Sequence, residues 1–251
     1  MTTYDFNDGN GPVPAHQHPN GGGWVAESAI VSVSAFVGPD AKVYGKAEVF
    51  DKAQVSGNAR VSGNALVFGN AEVSDNALVY GYALVVGNAQ VYGKAEVFDK
   101  AQVYGNAVVS DNAQVYGNAR VSGKAEVFDN TLVFGTAQVA GYAKVFGNAR
   151  VSGNARVYDN AEVFDNTLIS GSAQVYGNVK VTKTPVRIPR SDGYDFILVP
   201  CADGKERIIA GCRYFTYEEA DEHWNKEHPK YAETTIILRS LKELYELQKS
   251  A

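Results

Sequence analysis

The sequence predicts an all-β solenoid followed by a small α+β module. Valine recurs at every sixth position from Val25 to Val181, with isoleucine only at Ile169, which makes 27 hexads without an insertion or deletion. A small residue, usually alanine, stands two positions before most of these valines. After Val181 the periodicity stops and the composition changes, which indicates that a separate module follows the repeats.

Each hexad reads Ala-x-Val-x-(Gly/Asp)-(Asn/Lys), as in residues 65–70. Alternation along a strand directs Ala and Val to one side and the two x residues to the other. The Gly/Asp and Asn/Lys pair turns the chain, because Gly and Asn tolerate left-handed backbone angles. A strand and a turn repeated in one sense wind into a coil, and stacked coils pair each strand with those above and below.

This order of residues resembles the hexapeptide repeat of the left-handed parallel β-helix, and the resemblance covers about Gly23 to Thr182. It implies three hexads per coil and left-handed crossovers. We therefore expect a left-handed parallel β-helix of about nine triangular coils, about 43 Å long at a strand spacing of ~4.8 Å, with a small C-terminal α+β module. The Gly-Gly-Gly-Trp-Val start, the uninterrupted hexads and the small tail resemble hexapeptide-repeat proteins of phages and prophages.

The outward x residues form columns of apolar side chains at intervals of 18 residues. Apolar columns of this length exceed the few hundred Å² that a monomer usually exposes, so we expect two of them to be interaction surfaces. The alternative is that the ladders only stabilise the stacked strands, as the shorter Phe128, Phe146 and Phe164 column would. The predicted surfaces comprise Leu78, Tyr80, Phe98, Tyr116, Leu132 and Phe134 on a first face, and Phe50, Leu66, Phe68, Leu84 and Tyr104 on a second face.

Known left-handed β-helix proteins are commonly trimers, so the resemblance implies a homo-oligomer, with a trimer favoured. Many hexapeptide-repeat proteins also transfer acyl groups from coenzyme A or acyl carrier protein, with a histidine from a coil as general base. This sequence has no histidine between His18 and His223, and no loop interrupts its hexads. Asp75, Asp111 and Glu126 are the remaining candidates, but exposed carboxylates are weak bases for a hydroxyl or an amine. We expect no catalytic residue and no cofactor.

Composition and charge exclude several classes of partner. The net charge is −5 and no basic stripe stands out, so we expect no nucleic-acid partner. No apolar run approaches ~20 residues, so we expect no membrane span. The N-terminus shows no secretory signal pattern, so we expect a cytoplasmic protein, and the resemblance to phage proteins implies a bacterial host cytoplasm or a virion. Threonine is too scarce for the Thr-x-Thr arrays of an ice-binding surface, and Cys201 and Cys212 are expected to be reduced thiols.

Residues 1–22 are rich in Gly, Pro and Asn and should form an arm or cap that folds back over Trp24 and Phe36. His16 and His18 form a His-x-His pair, which binds iron in some trimeric phage fibres. We favour two exposed loop histidines and predict no metal site. Residues 23–182 form the β-helix, and residues 183–192 should be a linker.

Residues 193–251 form the α+β module. Strands over Tyr194–Cys201 and Glu206–Phe215 should flank a hairpin turn at Asp203 and Gly204. Thr216 begins a capping box, so a helix should run from about Tyr217 to Glu227, before Pro229. A last helix should run from about Thr235 to Lys249. We expect the module to dock on the last coils or on its counterparts in an oligomer.

The sequence favours a non-enzymatic structural or protein-interaction scaffold, encoded by a phage or prophage, with a bacterial or virion protein as partner. One alternative is an atypical hexapeptide-repeat acyltransferase. The other is a phage effector that binds and inhibits a host protein.

Overall fold

The computed structural model describes residues 2–201, 205–210 and 213–250. The 27 hexads form three parallel sheets, each of which receives one strand from every coil. Residues 18 apart lie in register on neighbouring strands, as Leu78 with Glu96 and Val79 with Val97. The hexads therefore wind into nine coils of three sides.

The strands of the first face have two or three residues and are Trp24–Ala26, Lys42–Val43, Arg60–Val61, Leu78–Val79, Glu96–Val97, Gln114–Val115, Leu132–Val133, Arg150–Val151 and Leu168–Ile169. The strands of the second face are Ile30–Val31, Glu48–Val49, Leu66–Gly69, Leu84–Gly87, Gln102–Gly105, Arg120–Val121, Gln138–Val139, Arg156–Val157 and Gln174–Val175. The strands of the third face are Phe36–Val37, Gln54–Val55, Glu72–Val73, Gln90–Val91, Val108–Val109, Glu126–Val127, Lys144–Val145, Glu162–Val163 and Lys180–Val181.

The interior of the prism is filled by the alanines and valines that the hexad pattern directs inward. Almost all of them are completely buried. Thr131 and Thr167 replace alanine and are also buried. Their hydroxyls donate to the carbonyls of Phe128 at 2.7 Å and Phe164 at 2.6 Å, so the polar group stays satisfied in an apolar core.

From Gly45 to Gly177 the corners between faces have left-handed backbone angles, which Gly or Asp adopts at each of them. Asp75 has φ +58°, and its Oδ2 accepts a hydrogen bond from the N–H of Gly93 in the next coil at 3.1 Å. Asp51 bonds Gly69 in the same way at 3.1 Å. The asparagines that follow form amide ladders, in which the side-chain amide of one coil donates to that of the next, as from Asn70 to Asn88 and from Asn112 to Asn130.

The N-terminal arm caps the first coil. Its strands are Thr3–Tyr4 and Val13–Gln17, and the second pairs antiparallel with Trp24–Ala26. Tyr4 stacks on Trp24 with ring centroids 4.4 Å apart. The carbonyl of Asn20 accepts the N–H of Val37 at 3.0 Å, beside Phe36. The arm thus folds back over both predicted residues.

The C-terminal module is a four-stranded antiparallel sheet with two helices. Its strands are Val186–Pro189, Asp195–Pro200, Glu206–Ala210 and Arg213–Phe215, and its helices are α1 (Tyr217–His223) and α2 (Tyr231–Ser250). One side of the sheet, with Phe196 and Leu198, packs on the helices. The other side, with Ile197, Val199 and Ile209, packs on the core of the prism. The module therefore docks on the last coils.

Several details of this module differ from the prediction. The segment predicted as a linker contains the strand Val186–Pro189, because Val186 and Ile188 alternate toward the module core. The predicted strand Glu206–Phe215 is two strands, paired antiparallel with each other. The turn at Asp203 and Gly204 and residue Cys212 lie outside the described residues.

The helices also have different bounds. The capping box at Thr216 is present, but α1 ends at His223 instead of Glu227, and α2 begins at Tyr231, soon after Pro229. Among the described residues, neither α1 nor α2 has the length and apolar character of a membrane-spanning helix.

Candidate interaction surface

The strands of the second face are longest where its apolar residues lie. Leu66–Gly69, Leu84–Gly87 and Gln102–Gly105 are four-residue strands, whereas the other strands of this face have two residues. Pairing here continues into the corner, with Phe68 opposite Val86 and Gly69 opposite Gly87. Each of these coils turns at a glycine with φ near +80°, such as Gly69. The backbone ladder is therefore widest under this apolar column.

The apolar side chains on this ladder are only partly covered. Phe50, Leu66, Phe68 and Leu84 are half-buried, and Tyr104 is 37% exposed. Toward the N-terminal end, Ile30 is 55% exposed and Val33 is 78% exposed. The sequence prediction did not include these two residues, because they lie in the irregular first coil.

The first face carries a tight aromatic ladder. Tyr80, Phe98, Tyr116 and Phe134 stack with centroids 4.9–5.1 Å apart and ring planes within 4° of parallel. The Tyr80 hydroxyl donates to Glu96 at 3.2 Å. Burial, and then the Glu96 charge, raise the pKa of Tyr80 to about 12. Since these rings cover one another, this ladder also fits the strand-stabilising alternative.

The predicted residues therefore form two separate surfaces on adjacent sides of the prism. Leu78, Leu132 and the aromatic ladder lie on the first face, and the remaining five residues lie on the second. The third face carries the ladder Phe128, Phe146 and Phe164. Beside that ladder, Lys144 pairs with Glu126 at 3.0 Å and Lys180 pairs with Glu162 at 2.9 Å. The aromatic ladder of the third face is therefore flanked by a column of paired charges.

The three carboxylates considered as general bases have structural partners. Asp75 accepts the Gly93 N–H, as described above. Asp111 accepts the Ser110 hydroxyl at 3.0 Å, and Glu126 pairs with Lys144. A groove of about 540 Å³ runs past Asn58, Asp75 and Lys94 at the corner after the third face. The groove is lined only by the Gly or Asp and the Asn or Lys that form this corner in four successive coils.

The two N-terminal histidines lie in different environments. The Nδ1 of His16 is 2.9 Å from a carboxylate oxygen of Glu27, and His16 is exposed. His18 is 3% exposed, and its Nδ1 is 3.1 Å from the carbonyl of Asn20. The prediction of two exposed loop histidines is therefore wrong for His18, which is buried in the turn that covers the third-face edge. His16 is exposed, as predicted, but it lies in the strand Val13–Gln17 and not in a loop. No cluster of three or more His, Cys, Asp or Glu side chains suited to a metal occurs among the described residues.

Comparison with known proteins agrees with this architecture. A family model described as the YdcK beta solenoid repeat matches residues 53–69, 59–72, 101–115 and 113–127. Comparison with curated protein sequences gives no match.

Among solved structures, LpxA from Acinetobacter baumannii matches with a TM-score of 0.55 and 14% identity, over 64% of this chain and 68% of that chain. UDP-N-acetylglucosamine O-acyltransferase (LpxA) from Moraxella catarrhalis has a TM-score of 0.47 and 15% identity, over 64% of this chain and 68% of that chain. The first likeness establishes the fold alone. The prediction of a left-handed parallel β-helix of about nine coils with a small C-terminal α+β module is confirmed.

Proposed function

We propose that this chain is a non-enzymatic scaffold for protein interaction, encoded by a phage or prophage, and that it assembles as a homotrimer through the second face of the prism. The carrying observation is the coincidence of the widest backbone ladder with a partly exposed apolar column. Leu66, Phe68 and Leu84 lie on that ladder. Burying such a column against a copy would contribute roughly 25 cal/mol for each Å² removed from water.

A regular prism suits this role because its surface is flat and rigid. Almost all of the inward alanines and valines are completely buried, and each strand between the first and the last coil pairs with the coils on either side. A homotrimer with its second faces turned inward would leave the first and third faces, the corners and the C-terminal module for other proteins. The partners would be bacterial or virion proteins.

The experiment that tests the assembly is mass measurement by light scattering on the full chain. The wild type should have three times the 27.0 kDa mass of one chain. The double substitution Phe68→Glu and Leu84→Glu should give a monomer, because each carboxylate would lose its hydration at the contact. The matched control, Phe146→Glu on the third face, should keep the wild-type mass. An unchanged mass in the double variant would remove the second face as the contact.

An atypical acyltransferase is a second candidate, favoured by the likeness in fold to LpxA. The structural partners of Asp75, Asp111 and Glu126 argue against it, because each carboxylate already serves the coil or a neighbouring lysine. Thermal unfolding with increasing acyl-coenzyme A separates the two. A scaffold should show no shift in Tm, and a concentration-dependent rise would support the enzyme.

A phage effector that inhibits a host protein would share the same surfaces and differ in its target. Affinity capture from bacterial lysate and from purified virions distinguishes these roles. A virion scaffold should retain virion proteins, whereas an effector should retain one host protein and inhibit its activity.

A further inference from the structure

The first coil of the prism has three strand edges at its N-terminal end, and the arm covers two of them. On the first face, Val13–Gln17 pairs with Trp24–Ala26. On the third face, the N–H of Val37 donates to the Asn20 carbonyl at 3.0 Å, and the Val37 carbonyl accepts the N–H of Gly23 at 2.9 Å. On the second face, Ile30–Val31 is the terminal strand of its sheet and pairs with Glu48–Val49.

The backbone of Val31 is oriented toward this open edge. The N–H groups of Ile30 and Ser32 donate to the carbonyls of Ala47 at 2.9 Å and Val49 at 2.8 Å in the next coil. Because backbone groups alternate in direction along a strand, the N–H and C=O of Val31 point away from that coil. Among the described residues, none makes a hydrogen bond to them.

The core is also incompletely covered at this edge. Val25 and Val37, in the two capped strands of the same coil, are 1% and 0% exposed. Ala29 and Val31 are only partly buried, and their neighbours Ile30 and Val33 are exposed. At the opposite end, each last strand has a partner from the C-terminal segment: Thr184 for Leu168, Tyr214 for Tyr176 and Cys201 for Val181.

We propose that the Ile30–Val31 edge binds an extended segment of a partner protein, which adds one strand to the second face. Its backbone would bond the N–H and C=O of Val31. A small or β-branched inward side chain would cover Ala29 and Val31, and an apolar outward side chain would contact Ile30. Strand addition to an exposed edge is a general mode of peptide recognition.

A second copy of the prism does not fit this edge. Val13–Gln17 already lies one strand spacing, ~4.8 Å, beyond the first coil on the neighbouring face. If a second prism added its first strand to the Ile30–Val31 edge, the rest of its first coil would lie at the same height along the prism axis as Val13–Gln17. That coil would therefore overlap the arm. A single extended strand occupies only the width of the second face. The inference refines the interaction role proposed above, but it requires neither the trimer nor a particular partner.

The test uses a labelled synthetic peptide with the sequence of residues 62–71, SGNALVFGNA, which copies a strand of the same sheet. Its binding to the full chain is measured by fluorescence anisotropy. Val31→Pro removes the edge donor without removing a bond to the coil below, and Ile30→Lys places a charge in the contact. Both should weaken binding by about tenfold or more, which is about 1.4 kcal/mol or more. Ile236→Lys, at an exposed position of α2, should bind as the wild type does.

Hydrogen exchange gives a second readout that does not depend on a variant. In the free chain the Val31 amide should exchange faster than the Val49 amide, and the peptide should slow it. Failure of the peptide to bind at millimolar concentration, equal binding to Val31→Pro, or slow exchange at Val31 without peptide would overturn the proposal. Protection that disappears on dilution would assign the edge to a second copy and overturn it also. A wild-type oligomer mass alongside any of these results would leave the scaffold proposal standing.

Discussion

The hydroxyl of Tyr214 bonds both backbone groups of Tyr176. It accepts from the Tyr176 N–H at 2.6 Å and donates to the Tyr176 carbonyl. In the preceding coil the equivalent N–H, that of Tyr158, donates to the Val175 carbonyl at 3.0 Å. A tyrosine from the C-terminal module therefore replaces the backbone of the coil that would come next. The Tyr214 ring also meets the Tyr176 ring edge-on at 4.4 Å. The module is, in this respect, a cap for the second face.

Tyr214→Phe should destabilise the chain by about 1–3 kcal/mol, because two backbone groups of Tyr176 lose their partner while the ring remains to exclude water. Urea unfolding measures the change, and exchange at the Tyr176 amide should become faster. Tyr82→Phe is the matched control, since Tyr82 is 64% exposed and its loss of a hydroxyl should change stability by less than about 0.5 kcal/mol. Equal stability of the two variants would contradict the capping role.

The same tyrosine should make stability depend on alkaline pH. Burial raises the pKa of Tyr214 above its ordinary value of 10.0. A group whose pKa is higher in the folded than in the unfolded chain stabilises fully below the unfolded pKa, and that contribution is lost as pH rises above it. Tyr80, with a pKa raised to about 12, acts in the same direction.

The free energy of unfolding should therefore fall as pH rises above about 10. The Tyr214→Phe variant should have a lower free energy of unfolding than the wild type at pH 8. Its free energy of unfolding should then decline less steeply with pH, because the variant lacks one of the two phenols named above, whose pKa is raised. Urea unfolding between pH 8 and 11 measures both curves. Parallel curves would show that Tyr214 ionises equally in the folded and unfolded chain.

The prism could be predicted from sequence because each hexad contains all the information for one side of a coil. Ala65 and Val67 specify the inward side, and Gly69 specifies the corner, whatever the rest of the chain does. Neighbouring coils have the same pattern of inward and corner residues, so the local conformation that each hexad favours is also the one that pairs with the coils above and below. This consistency is absent outside the repeats.

The caps were predicted less well because they depend on contacts between distant residues. Nothing near Tyr214 in the sequence indicates that its hydroxyl meets Tyr176, 38 residues earlier. His18 is buried in a turn with Asn20, Gly22 and Gly23, and that turn is held on the first coil by the hydrogen bonds of Asn20 and Gly23 to Val37. The residues of the candidate surface, and their division between two faces, follow from the 18-residue spacing of the sequence, whereas the exposure of Ile30 is seen only in the structure.

The corner aspartates lead to a prediction about substitution at Asp75. Its left-handed φ of +58° disfavours residues with a Cβ, and its carboxylate holds the Gly93 N–H. Asp75→Ala should cost about 1–2 kcal/mol, because it keeps the strained backbone and loses the bond. Asp75→Gly also loses the bond but relieves the backbone, so it should cost less than Asp75→Ala by about 1 kcal/mol. Thermal and urea unfolding measure the order, and an alanine variant as stable as the glycine variant would contradict this account.

The aromatic ladder of the third face should show how stacking depends on the number of neighbours. Phe146 stacks on Phe128 at 5.0 Å and on Phe164 at 4.9 Å, whereas Phe164 has Phe146 as its only stacking partner among the described residues. Each aromatic pair contributes about 0.5–1.5 kcal/mol beyond its buried area. Phe146→Leu removes two stacked pairs and Phe164→Leu removes one, while both changes remove a similar apolar area. The part of the loss in unfolding free energy that comes from stacking should therefore be about twice as large for Phe146→Leu. Urea unfolding of the two variants and of the double variant measures the pair. If the two single variants lose the same unfolding free energy, and the double variant loses the sum of the two, the ladder is held by burial of apolar area alone and ring stacking adds nothing.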